Sequence, residues 1–453
     1  MAIVTTSKKA CTVNPLKMSQ PLGGMLAFMG VNNAMPLLHG SQGCTSFGLV
    51  LFVRHFREAI PMQTTAMSEV ATVLGGFDNV EQAILNIVKR TKPDLIGICS
   101  TGVTETKGDD VPGYIKLIRQ RHPELDHVGL VYVSTPDFKD AFQDGWARTV
   151  AAMVEELVPD RQPGVAPFTK QINVLPGCHL TPGDLDELRE IIESFGMEPL
   201  FLPDLAGSLD GHLPGEFTPT TIGGITLPDI ARMSRSAWTI ALGEQMLPAA
   251  AAMERKGGQV KLFDRLTGLA ANDELIAFLM QVSGQAPSRK LKRQRSQLVD
   301  AMLDGHFFFG GKSIAIAAEP DLLWTLGTWL TEMGCTLDVA VTTTHSPVLA
   351  KLPCEEVLIG DLEDFESRAG DCDLLITHAH GRQAAARLGI PFLRMGMPIF
   401  DRLGAQHITT VGYRGTRDLI FTIGNMFMAD GHEPTPETWR SPSGEAAAAS
   451  QTH

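Results

Sequence analysis

The chain has 453 residues, more than the roughly 250–300 that a single hydrophobic core sustains, so two or three domains follow. Its 44% hydrophobic and 20% charged content describes a globular chain, and no apolar run reaches the roughly 18 residues of a membrane span. A formal net charge of −13 argues against a nucleic-acid role, which needs a concentrated basic surface.

The opening residues, Met1 to Lys9, lack the charged-then-apolar order of a signal peptide, so the chain is expected in the cytoplasm. Seven cysteines stand at 11, 44, 99, 178, 335, 354 and 372 with no C-x-x-C pair. In a cytosolic chain that spacing excludes a disulfide framework and argues against a self-contained zinc site. Most of the cysteines read as small buried hydrophobes, and a functional one has to be found by its local context.

The first such context is Leu37-Leu38-His39-Gly40-Ser41-Gln42-Gly43-Cys44-Thr45-Ser46-Phe47. Two glycines bracket a small polar turn, and Cys44 opens an apolar run, 47–56, that reads as a helix. The dipole and free N–H groups of a helix N-terminus stabilise a thiolate there. Glycines let backbone approach a bulky inorganic cluster and aim N–H groups at its sulfides. The residues alone leave this reading level with a structural cysteine beneath a turn.

Buried-strand candidates at 95–99 and 128–133 make the N-terminal part an α/β lobe. Next comes a strand, turn, helix, glycine, strand unit: Ile172 to Gly177, a helix over 182–195, Gly196, and an apolar run at 199–202. Thr181 is an N-cap with Pro182 at N1 and Asp184 at N3, and Gly196 supplies the left-handed stop. A second copy follows at 313–317, a helix over 320–333, Gly334 and 337–341, with more strands at 357–359, 374–377 and 392–394 and a helix at 383–388. These are parallel βαβ units, and the C-terminal lobe reads as doubly wound. Loop formers at 161–164 and 283–288 mark boundaries. They divide the chain into an N-terminal lobe (1–164), a middle lobe (165–286), a C-terminal lobe with a connecting helix (287–432) and a disordered tail (433–453).

Other motifs fall short. No G-x-G-x-x-G follows a predicted strand, and no G-x-S-x-G elbow exists. Gly310-Gly311-Lys312-Ser313 imitates the end of a P-loop, but His306 stands where the first glycine belongs, and the strand follows instead of preceding. His378 and His380 share a strand end without a third nearby ligand, and read as ordinary loop or core histidines. The basic run Arg289, Lys290, Lys292, Arg293 and Arg295 reads as a solvated helix face.

Several blocks together are more specific. Ser19-Gln20-Pro21-Leu22-Gly23, His39 to Cys44, Arg54-His55-Phe56-Arg57-Glu58, Gly75-Gly76 and Thr104 to Asp110 resemble, in order, the beta-type chains of the nitrogenase molybdenum-iron protein family. Asn173 to Gly177 and Gly396 to Arg402 fit the same family. The resemblance implies three Rossmann-like, doubly wound parallel-sheet lobes, an alpha-type partner and a metal cluster at the subunit interface. In catalytic beta chains three cysteines bind an eight-iron cluster. Here the first position is Ser19, the second is Cys44 and the third is Gly102, with Cys99 expected inside the preceding strand.

Two missing thiolates remove the support for eight irons. The remaining one fits a 4Fe-4S cluster completed by three cysteines of the partner. That pattern resembles the scaffold branch of the family, whose beta-type chain pairs with NifE in a heterotetramer and shares the interface cluster. The iron-molybdenum cofactor precursor is then held mainly by the partner, the nitrogenase iron protein docks transiently, and no independent turnover is expected of this chain. Cys44 is the implied metal ligand, with Ser19, His39, Gly40, Gly43 and Gly102 around the cluster. His39 either hydrogen-bonds near the cluster or packs the turn, and Arg54, His55 and Arg57 either tune the following helix or form its solvated face. No role follows for Cys11, Cys99, Cys178, Cys335, Cys354 or Cys372. The rival readings are a catalytic nitrogenase beta chain, a dark-operative protochlorophyllide or chlorophyllide reductase subunit, and a metal-free α/β ligand-binding protein.

Overall fold

The computed structural model describes residues 1–9 and 15–430; Cys11 and the expected disordered tail at 433–453 lie outside the described residues. Along the chain its strands are β1 (Ile3–Thr6), β2 (Ala34–His39), β3 (Gln63–Thr64), β4 (Leu95–Ser100), β5 (Gly129–Val133), β6 (Phe168–Leu175), β7 (Glu198–Phe201), β8 (Ser236–Leu242), β9 (Val260–Phe263), β10 (Ser313–Ala318), β11 (Thr336–Thr342), β12 (Glu356–Ile359), β13 (Leu374–Thr377) and β14 (Phe392–Arg394). They form three parallel sheets, ordered β3-β2-β4-β5, β7-β6-β8-β9 and β1-β12-β11-β10-β13-β14. Helices cover the faces, as all-parallel sheets require.

One strand departs from the sequence reading. Ile3–Thr6 was expected in the N-terminal lobe, yet β1 pairs in parallel with β12, Ile3 opposite Glu356 and Thr6 opposite Ile359. The start of the chain closes the edge of the last sheet, and four residues are too few to carry a period.

Two helices frame the carboxyl end of the first sheet, α1 (Gln20–Met29) and α2 (Gln42–Phe56). Every residue of α1 is buried. It crosses the helix Phe142–Leu157 through glycines: a Cβ on Gly23 would collide with the Phe142 carbonyl, and one on Gly145 with the Gln20 carbonyl. Gln20 then anchors the crossing by donating to Pro136 O and Lys139 O, both at 2.9 Å. Trp146 Nε1 donates to Pro176 O at 2.9 Å and joins this pair to the second sheet. Thr181 caps its helix as expected, its hydroxyl accepting from Asp184 N at 3.0 Å, and Gly196 lies at φ +68°.

A candidate metal centre at the Cys44 turn

His39 ends β2 opposite Ser100 of β4, so the turns leaving these strands lie side by side at the carboxyl end of the first sheet. That end is where open α/β sheets bind ligands. The first turn, Gly40 and Ser41, feeds α2, whose third residue is Cys44. Ser41 holds the N-cap position without a side-chain bond to the backbone, and its Oγ lies 3.4 Å from Cys44 Sγ. The thiol therefore sits at a helix N-terminus whose N–H groups no side chain among the described residues has claimed.

Among the described cysteines Cys44 is the exposed one. Cys99 is buried in β4, and burial pushes its thiol up to about 12. The same cause raises Cys335 to about 12 and Cys354 to about 11, and raises Cys178 and Cys372. Five thiols are thereby kept protonated, as inert core groups are.

The turn is rigid on one side and open on the other. A Cβ on Gly40 would lie 2.6 Å from Thr101 Oγ1, so only glycine lets the two turns close on each other. Thr101 Oγ1 donates to His39 O at 3.0 Å, and Gly40 N donates to Thr65 Oγ1 at 3.1 Å. The Asp109 carboxylate can only accept, so His39 Nε2–H donates to it at 3.3 Å, and Nδ1 accepts from the Thr65 hydroxyl at 3.0 Å. His39 is fully buried, and burial lowers its pKa despite Asp109. Both ring nitrogens are committed, so His39 stiffens the turn and offers nothing to the thiol. Gly43 is the contrast: a Cβ there would meet only Ser41 Oγ, at 3.9 Å. Nothing among the described residues requires glycine at 43, and its missing side chain leaves room beside Cys44 for something from outside.

The two other expected positions border this region. Ser19 is the half-buried N-cap of α1, and α1 meets α2 where a Cβ on Gly48 would come 2.7 Å from Leu22. Gly102 opens the short helix Gly102–Lys107, and a side chain there would collide with the Asp137 carboxylate. Beyond the thiol, α2 leaves the site toward the third lobe. His55 is buried and its Nδ1 accepts from Ile399 N at 2.9 Å; burial lowers its pKa to about 4. Arg57 ends the helix at φ +65° and donates to Phe400 O at 2.9 Å.

Among the described residues no group of three or more His, Cys, Asp and Glu side chains is placed to hold a metal ion. His378 and His380 have rings 5.4 Å apart, but His378 is buried against Leu16 O and the His380 N–H. Lys312 of the P-loop imitation pairs with Asp373 at 2.8 Å. No helix among the described residues is long and apolar enough to cross a membrane. Sequence reasoning missed Thr65, Thr101 and Asp109 as the locks of the turn; Asp109 lay inside a matched block, while Thr65 carried no signal.

Residues 19–428 match the family described as nitrogenase component 1 type oxidoreductase. This chain belongs to that family, and within it to the NifN proteins. It is 63% identical to the nitrogenase iron-molybdenum cofactor biosynthesis protein NifN of Bradyrhizobium diazoefficiens, over 98% of this chain and 96% of that one. The proteins of the same name from Mesorhizobium japonicum and a Nostoc species are 54% and 52% identical, over 95% and 94% of this chain and 94% and 96% of theirs. A solved structure titled nitrogenase Cp1 at pH 6.5 superimposes with a TM-score of 0.89 at 30% identity, covering 96% of this chain and 97% of that one. Component 1 architecture thus accounts for the three parallel sheets.

Proposed function

We propose that this chain is the beta-type half of a scaffold on which the nitrogenase iron-molybdenum cofactor is matured. Cys44 Sγ binds one iron of a 4Fe-4S cluster whose three other thiolates come from an alpha-type partner of the NifE kind, in a heterotetramer. The observation that carries this reading is one exposed thiol at an unclaimed helix N-terminus, beside the space Gly43 leaves, in a chain with no second ligand at hand among the described residues. Thr101, Thr65 and His39 hold the turn so that Cys44 meets iron without rearranging. When bound, such a cluster supplies one-electron transfer at the junction of the subunits. The precursor resides mainly in the partner, the nitrogenase iron protein docks transiently and in a salt-sensitive way, and the chain works in the cytoplasm without turnover of its own. A catalytic beta chain is disfavoured because Ser19 and Gly102 stand where two thiolates would be needed.

The test is oxygen-free co-purification with a NifE-type partner followed by metal analysis. Cys44→Ala is expected to remove about four irons per pair of subunits. Unchanged iron in that variant defeats the ligand assignment, and a colourless chain that never pairs favours the metal-free reading.

A further inference from the structure

In a chain with 51 acidic and 38 basic residues, an arginine ordinarily finds a carboxylate. Arg394 does so with Asp401 at 2.8 Å, and Arg387 with Glu366 at 2.5 Å. Four exposed arginines close by do not. Arg54 and Arg382 place their guanidinium carbons 4.4 and 4.9 Å from the ring centre of Phe400, Arg57 donates to Phe400 O, and Arg402 donates to Asp401 O at 3.0 Å. None of the four forms an ion pair among the described residues. Their field is felt locally: burial and then the charges of Arg382 and Arg54 lower the pKa of His380, whose ring lies 5.0 Å from Phe400.

This patch continues from the thiol. On α2, Phe47, Val50 and Val53 are 65%, 52% and 39% exposed, and they run from Cys44 toward Arg54 at helical spacing. Leu403, 84% exposed, follows Arg402. Exposed apolar residues beside arginines and an aromatic ring are the composition of an interface centre.

We propose that the subunit completing the Cys44 cluster lays an apolar surface along Phe47, Val50 and Val53 and sets an acidic segment, carrying two or more carboxylates, against Arg54, Arg57, Arg382 and Arg402. This rests on the scaffold reading, because whatever supplies thiolates beside Cys44 also covers the start of the stripe. The unpaired charges fix orientation and partner choice, and the apolar stripe supplies affinity.

The experiment compares the full chain with Arg54→Glu/Arg382→Glu for binding to the NifE-type partner, without oxygen, across a range of salt. The expected result is a Kd at least ten-fold higher, a shallower dependence of log Kd on log salt, and unchanged iron in whatever pairs still form. Arg54→Gln/Arg382→Gln, neutral and at exposed positions, guards against misfolding and is expected to show a smaller change in the same direction. Wild-type Kd and salt slope in both variants overturn the inference while leaving the scaffold reading intact. So does normal pairing with loss of iron-protein binding alone, which reassigns the patch. Failure of the unsubstituted chain to pair at all overturns the scaffold reading itself.

Discussion

If Cys44 is the one thiol poised for outside chemistry, alkylation counts it. At pH 8 a thiol at about 12 is thiolate in roughly one molecule in 10⁴, and one at about 11 in roughly one in 10³. Cys99 adds a structural barrier: it lies fully buried in β4, with β2 and β5 on either side, so reagent reaches it only through sub-global opening, which costs several kcal/mol. With Cys11→Ser as background, to silence the one cysteine outside the described residues, a maleimide is expected to react rapidly with one thiol per free chain. Cys44→Ser in that background reduces the fast phase to zero. In the oxygen-free complex with the partner the fast phase disappears, and chelating the iron restores it. Labelling followed by mass spectrometry reads each state. Two fast thiols in the free chain refute the burial argument. A Cys44 that reacts as quickly in the complex as alone refutes its bond to iron.

Restoring the family's missing thiolates with Ser19→Cys/Gly102→Cys is expected to leave the iron count of the complex unchanged, because an eight-iron centre also needs matching geometry from the partner and a side chain at 102 collides with Asp137; eight irons per pair in the metal analysis would show that the partner side is already competent. Gly145→Ala drives a methyl into the Gln20 carbonyl, so the denaturant midpoint should fall by the equivalent of about 3 kcal/mol or more, and an unchanged midpoint argues that α1 is free to shift. Burial, then repulsion from Asp144, pushes Glu319 up to about 8, against 4.5 unfolded. The folded state then holds a proton that the unfolded chain has lost, and stability falls as pH rises from about 4.5 to about 8, by on the order of 4–5 kcal/mol. Glu319→Gln, fixed neutral, should flatten that dependence in urea titrations at pH 6 and pH 8.5; identical slopes would place the Glu319 proton elsewhere.

What the sequence disclosed depends on how locally each feature is encoded. The helix Pro182–Glu193 announced itself through Thr181, Pro182 and Gly196, all within one turn of the ends they fix, and the structure uses them so. Strand β2 was illegible because Pro36 sits inside it, which ordinarily argues against a central strand. It is tolerated because β3 pairs only from Leu37 onward, so the ladder on that side has not begun at the proline. The Cys44 turn was visible as glycines, a cysteine and an apolar run. Its assignment as a ligand came from the resemblance, since on the proposed reading the site borrows its remaining donors from another chain and leaves one residue to be read in this one.

The arginine patch lay further out of reach, because its members are distant in sequence: Arg57 and the Phe400 carbonyl it holds are 343 residues apart. That distance has a mechanical consequence. The thiol stands at the first turn of α2, and the last turn is clamped to the third lobe by Ile399 N on His55 and by Phe400 O on Arg57. The N-terminal end is clamped to the first sheet by Gly40 against Thr101. A helix fixed at both ends holds Cys44 and the loop around Phe400 at a constant separation. On the proposed reading, a partner seated against the arginines would therefore meet the thiol already in place.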